Sequence, residues 1–141
     1  MTKIKTLISD VLEVYRGTST LWDIEFVNEF PNKKHDLPLR YPIVSVGVDE
    51  VNIFPIEEYN SIYFGRSPST ARLKLCICVP NSSGGNACYD VLDRVINATT
   101  SILKMYTLIG IKTDEMKYSS SISGLVIPLY ITVDTGHAFV V

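Results

Sequence analysis

The chain has 141 residues, 46% of them hydrophobic, with a formal net charge of -2 and a pI near 5.6. That length fits one domain, 1–141, with a substantial core and leaves no room for a second. The acidic balance argues against a dedicated nucleic-acid binder, whose electrostatic footprint is normally basic. Three cysteines, an odd number, and a start reading MTKIKTLISDVLEVYRG without a leader pattern point to synthesis in the reducing cytoplasm. The longest apolar run, Leu125 to Ile131, is interrupted by Pro128 and is far too short to span a membrane.

Ile4, Leu7, Ile8, Val11, Leu12 and Tyr15 recur at helical spacing, and Gly17 is placed to end that helix. From Thr20 to Phe30, Trp22, Ile24 and Phe26 alternate with Asp23 and Glu25, which predicts a strand. Pro31 to Pro38 is a polar, proline-bounded loop. The β-branched stretch YPIVSVGVDEVNIF, Tyr41 to Phe54, predicts either one strand with a bulge or bend at Gly47 or two short strands. It is expected to pair with the strand before it. Residues 55–70, PIEEYNSIYFGRSPST, have no clean period and read as a projecting loop.

The organising stretch is Ala71 to Leu103. Leu73, Leu75, Ile77 and Val79 alternate with Arg72, Lys74, Cys76 and Cys78, the period of a strand with one buried face. After the turn PNSSGGN, with Asn86 or Ser83 as the expected cap, Cys88, Val91, Leu92, Val95, Ile96, Thr99, Ile102 and Leu103 mark one long amphipathic helix. Tyr106 to Lys112 returns towards the sheet. Met116 to Ile122 and Leu125 to Val133 form a closing hairpin about Ser123 and Gly124. Pro128 lacks a donor, so an edge or bulged position is expected for the last strand. The fold class is therefore α+β: a mixed, mainly antiparallel sheet packed by an N-terminal helix and one long central helix, with a closing β-hairpin.

No catalytic constellation stands out. His35 and His137 are about a hundred residues apart without metal-ligand spacing and read as structural or solvated. Cys76 and Cys78 share a strand face, but Cys88 alone does not complete a soft-metal set, so all three read as small buried or half-buried residues. The turn SSGGNA could cradle an anion at a helix N-terminus, yet it lacks the Lys-Ser/Thr of a P-loop and reads as a turn and cap. Asp49, Glu50, Glu57 and Glu58 form an acidic cluster that reads as a solvated rim, with a basic surface on another chain as the alternative. Tyr59, Tyr63 and Phe64, with Arg66 beside them, have no obvious core in their polar loop, and either contact another subunit or fold back on the domain. No catalytic residue, metal or cofactor is expected.

The order of these elements resembles the tail-terminator and tail-completion proteins of tailed phages and phage-tail-like bacteriocins. The resemblance is carried over residues 1–135 by the N-terminal helix, the connection NEFPNKK, the strand YPIVSVGVDEV, the long loop, the strand ARLKLCICV, the helix CYDVLDRVINAT and the hairpin MKYSSSISGLVIPLYITV. It implies a structural subunit that closes into a homo-hexameric ring on the tail tube at its head-proximal end, stops polymerisation, and meets a sheath protein or head-tail connector. A ring needs two different contact surfaces on each subunit. Leu125, Ile127, Phe139 and Val140, from the last strand and the apolar tail 136–141, are expected on one side. Tyr59, Tyr63, Phe64 and Arg66 are expected on the other. Two alternatives stay open: a small anion- or nucleotide-binding domain or enzyme using Gly84-Gly85, and a head-tail joining protein touching DNA through a lumen made basic by Lys33, Lys34 and Arg40.

Overall fold

The computed structural model describes residues 4–29, 39–53 and 69–136. The N-terminal helix, α1, runs Ile4–Arg16 and buries Leu7, Val11, Leu12 and Tyr15. Gly17 donates its N–H to the Glu13 carbonyl at 2.9 Å, closing the last turn. A single 3-10 turn, Ser19–Leu21, leads into β1, Glu25–Asn28. The chain then forms β2 (Ile43–Ile53), β3 (Ser69–Pro80), α2 (Gly85–Ala98), β4 (Thr107–Thr113), β5 (Lys117–Ser119) and β6 (Gly124–Gly136). The sheet order is β1-β2-β3-β6-β4, with β5 pairing β6 beyond the end of β4. The α+β class and mixed sheet follow the sequence reading: β1 and β2 are parallel and all other pairs antiparallel.

Alternation on β3 fixes the layers. Its Ala71, Leu73, Leu75, Ile77 and Val79 are buried, and their neighbours across the ladders are Val44 and Val46 on β2 and Ile127, Leu129, Ile131 and Val133 on β6. These side chains join those of α1 and α2 in one core cluster, so both helices cover the same face. Helix α1 lies over β1 and β2, and α2 over β3 and β6. Burying a Leu, Ile or Val side chain is favourable by roughly 1.5–3 kcal/mol before chain entropy is subtracted, which far exceeds what one surface ion pair supplies. Packing, then, fixes where the helices lie.

Several local expectations change. Trp22 does not join the buried alternation of Ile24 and Phe26: it closes the 3-10 turn and is 85% exposed. Asp23 beside it is held by Arg94 of α2, whose Nη1 donates to Asp23 Oδ1 at 2.7 Å and to the Thr20 carbonyl at 3.1 Å. That hydrogen bond keeps the Asp23 carboxyl below its usual range. The irregularity of β2 falls between Val48 and Glu50, not at Gly47, leaving Asp49 as the extra residue. Neither Ser83 nor Asn86 caps α2; Gly84 occupies the cap with φ 81°, a region open to glycine and costly for other residues. The long helix ends at Ala98 and tightens into 3-10 turns, Thr99–Lys104.

The last strand is the largest correction. Strand β6 is interior, between β3 and β4, rather than an edge, and its bulge falls at Thr135 and not at Pro128. Pro128 is accommodated because its carbonyl points towards the β4 side, accepting from Asp114 N–H at 3.2 Å, and its missing donor faces the same way. That side is where β4 has ended and β5 has not begun, so the missing donor falls outside both ladders.

Helices and sheet are tied through Tyr15. Its ring stacks on Phe26 at 5.0 Å between centroids, and its hydroxyl lies 3.1 Å from Thr99 Oγ1. Thr99 donates onward to the Val95 carbonyl at 2.8 Å, so Tyr15 is the donor in the pair. Burial pushes the Tyr15 phenol up from 10.0 to about 12, against the smaller opposing effect of the Thr99 hydrogen bond. A raised folded pKa means stability complete below pH 10 and lost as the unfolded chain ionises between pH 10 and about 12. The expected loss across that window is about 2–3 kcal/mol. Tyr15→Phe should cost about 1 kcal/mol at neutral pH and flatten this alkaline fall, measured as urea midpoints against pH.

Candidate assembly surface

The face of the sheet opposite the helices carries two kinds of surface. Near the start of β2 it is apolar: Ile43, Cys78 and Val126 stand in one row across three strands, with Cys76 and Pro128 in the next. Farther along it is charged, with Lys74, Tyr130 and Lys112 in register and Arg72 and Thr132 beyond. Arg72 Nε donates to Asp49 Oδ2 at 2.7 Å, Glu50 lies 3.7 Å away, and the guanidinium sits 5.4 Å from the Tyr130 ring centroid. The β2 bulge produces this arrangement by turning the adjacent acids Asp49 and Glu50 towards one arginine. Arg72 is held still more firmly in its charged form by the Asp49 hydrogen bond.

A depression of about 420 Å³ adjoins this cluster, lined by Asp49, Arg72, Lys112, Asp114, Tyr130 and Thr132 among others. Acids and bases are interleaved around it, so it concentrates no field of one sign. Cys78 is half-buried between Ile43 and Val126, and its thiol is pushed up from 9.0 to about 12, chiefly by burial and further by Cys76 and Cys88. At neutral pH it is a thiol, not a nucleophilic thiolate. Cys88 is buried on the helix side of the sheet, away from the face that carries Cys76 and Cys78. Among the described residues no group of three or more His, Cys, Asp or Glu could hold a metal ion. Glycine at position 84 is accounted for by its positive φ, and Gly85 lies against Met116. No helix among the described residues is long and apolar enough to cross a membrane.

The two edges of the sheet differ. In the parallel β1-β2 ladder, Glu25 and Glu29 donate to Pro42 and Val46, so the intervening Phe26 turns its carbonyl outward. Arg16 of α1 takes that carbonyl with Nε at 3.1 Å and Nη2 at 2.6 Å. Arg16 thereby covers one carbonyl of this four-residue edge, whose outward phase also carries the Phe26 N–H and the backbone groups of Asn28. At the other edge, Asp114 donates inward to Pro128, and the Lys112–Tyr130 pairing continues that inward phase. Ile111 and Thr113 therefore direct their N–H and C=O groups away from β6. Ile109, the extra residue of a second bulge, is 57% exposed and Ile111 is 37% exposed. Beside this edge a groove of about 580 Å³ runs between α2 and residues 113–116, lined by Tyr89, Leu92, Thr113, Met116 and Ile127 among others. Tyr118 on β5 is also exposed. Among the described residues no strand pairs with this side of β4, and exposed apolar side chains stand beside it.

The expected contact residues fare differently. Ile127 is 1% exposed in the core and so cannot meet a partner, and Leu125 is half-buried against the same core. The reason is the interior place of β6, whose odd-numbered residues face the helices. Tyr59, Tyr63, Phe64, Arg66, Phe139 and Val140 lie outside the described residues, as do His35, His137, Lys33 and Lys34. Their points of departure are described. Ile53 pairs with Ser69, and Ser69 with Gly136, so the segments 54–68 and 137–141 leave from neighbouring strands at one end of the sheet. A hydroxyl clasp fixes that end: Ser69 Oγ and Thr135 Oγ1 are 2.5 Å apart, Thr135 donates to the Ser69 carbonyl at 3.0 Å, and Ser69 Oγ reaches the Gly136 carbonyl at 3.1 Å. The sequence reading put these segments on opposite sides of the subunit; their roots are adjacent. It also placed the edge on the last strand rather than on β4, whose short run Thr107–Thr113 has no clean apolar alternation.

Arg16→Met keeps the aliphatic stem but frees the Phe26 carbonyl. The expected loss is about 1 kcal/mol in urea unfolding, with faster growth of light scattering on heating as the second edge opens. An unchanged midpoint together with unchanged scattering would show that the arginine does not seal β1.

No protein-family model matches the chain, and no curated protein matches it.

Proposed function

We propose that this chain is a non-catalytic structural subunit that assembles with copies of itself into a ring closing the end of a phage or phage-tail-like tube. The observation that carries this reading is the inequality of the two sheet edges. A ring is built by a heterologous contact, in which one surface of each copy meets a different surface of the next. A β4 edge that no described strand pairs, with Ile109 and Ile111 exposed, lies at the far side of the sheet from a short β1 edge whose Phe26 carbonyl is taken by Arg16, and this difference supports such polarity. The element order shared with tail-terminator and tail-completion proteins supports the same reading and suggests six copies. In that role the partners are the tube protein below, and a sheath protein or head-tail connector above, at the head-proximal end of the particle.

The sheet end from which 54–68 and 137–141 depart carries the richest unassigned apolar sequence, including Tyr59, Tyr63, Phe64, Phe139 and Val140. We assign that end to the tube or to the adjoining subunit. The Gly84-Gly85 turn gains no such support, since backbone conformation at Gly84 and the nearby Met116 explain both glycines.

Native mass measurement and negative-stain microscopy of the purified protein, alone and with isolated tail tubes, test this reading. A closed ring, or density capping tube ends, is expected. A monomer at every concentration that also leaves tube ends bare removes it. Titration with inorganic phosphate should leave the melting temperature unchanged, whereas binding at a hundred times the dissociation constant would add about 2.7 kcal/mol and favour the anion-site reading.

A further inference from the structure

We propose that two copies of this chain pair through the outer edge of β4, antiparallel about a two-fold axis at Thr113, with Lys112 of each copy facing Asp114 of the other. The pairing goes beyond the ring reading and does not rest on it. A two-fold contact closes after two copies, so it is a separate use of this edge, open to subunits that are not on a tube.

The edge offers a docking stretch of limited length. Residues 111–115 are all exposed. The bulge at Ile109 bounds them on one side, and on the other β5 takes up the ladder to β6 at Lys117. Ile111 and Thr113 direct their N–H and C=O groups outward, while Asp114 returns its N–H inward to Pro128, so the alternating phase continues past the last residue of β4. Thr113 stands at the middle of the stretch. Lys112 and Asp114 line the same depression on the face away from the helices, one cationic and one anionic. Among the described residues neither has an ion-pair partner.

Backbone phase and charge together select the register. An axis midway between two residues would set an outward-facing residue against an inward-facing one and lose the exchange of hydrogen bonds. An axis at Ile111 would place Thr113 opposite the bulged Ile109. An axis at Lys112 would set two ammonium groups face to face, and one at Asp114 two carboxylates; like charges directly opposite are destabilising. Only the axis at Thr113 sets Lys112 opposite Asp114, and symmetry makes two such pairs. Thr113 then meets itself as a hydrogen-bonded pair that exchanges two backbone bonds. On the helix side, which Ile111 shares with buried Ile131 across the ladder, Ile111 comes opposite Glu115 of the second copy. That position is the mouth of the groove lined by Tyr89, Leu92 and Met116, so an exposed isoleucine gains apolar cover. Mutual pairing also covers an edge that would otherwise be a template for other chains.

The test uses the full chain. Residues meeting across such an axis have Cα atoms about 5.5 Å apart, within the roughly 4.4–6.8 Å that a disulfide spans. Mildly oxidised Thr113→Cys should therefore run as a linked dimer on non-reducing gels, and the wild type, which keeps Cys76, Cys78 and Cys88, should not. Lys112→Glu and Asp114→Lys should each weaken the dimer about tenfold in sedimentation equilibrium, with folding by circular dichroism unchanged. An equal mixture of these two variants should recover it as a heterodimer, because the two like charges of one then meet two of opposite sign on the other. A monomeric wild type together with unlinked Thr113→Cys, or a mixture no tighter than either variant alone, would overturn the proposal. Rings or capped tubes with Thr113→Cys unlinked remove the pair and leave the ring reading standing. Linked pairs in a protein that leaves tube ends bare keep the pair and remove the ring reading.

Discussion

Strand β3 is buried on one face along its whole length between two longer-range partners, and every other placement follows from that. Its alternate residues from Ala71 to Val79 need cover, and α1 and α2 provide it only if both lie on the same side of the sheet. Because each strand residue alternates strictly, a slip of one position would turn Leu73, Leu75 and Ile77 out and Arg72, Lys74 and Cys76 in. Burial of three charged or weakly polar groups without partners would cost more than the sheet could return. The register of β2 and β6 against β3 is thus dictated by β3 itself, and the polar face with Arg72, Tyr130 and Lys112 is its unavoidable complement.

That constraint also settles what can be an edge. With β3 flanked by β2 and β6, the terminal positions fall to β1 and β4, each short and each carrying an edge problem. Exposed strand edges invite pairing with other chains, and natural sheets usually blunt them. Here the two edges are treated differently. Arg16, on the last turn of α1, reaches the one outward carbonyl of β1 that the helix passes over. Strand β4 has a bulge and Lys112 but keeps two residues with outward backbone groups beside exposed isoleucines. Two edges treated differently are unlike surfaces, and unlike surfaces are what a heterologous contact requires.

Periodicity made the two helices and β3 legible, since a dozen or more residues of consistent spacing leave little room for another reading. Shorter elements were decided by contacts that spacing does not encode. Trp22 fits the alternation of Ile24 and Phe26 as a letter pattern, yet the Arg94 grip on Asp23 and Thr20 places it in a turn. Pro128 signalled an edge because proline cannot donate, and the rule was satisfied another way, by the gap between β4 and β5. Ile127 was misassigned as a contact for the same reason: once β6 is interior, its apolar row belongs to the core. The acids Asp49 and Glu50 read as solvated charge, and only the bulge in β2 brings them to Arg72. Helix α2 begins at a glycine because the chain turns sharply out of β3, a demand on φ that no side-chain cap could meet.

The sheet also explains why two segments distant in sequence share a location. Residues 54–68 connect β2 to β3, and 137–141 follow β6, so both depart from the end where Ile53, Ser69 and Gly136 stand side by side. Rooting them by the buried hydroxyls of Ser69 and Thr135, each donating to a carbonyl of the neighbouring strand, fixes their origin more rigidly than an exposed turn would.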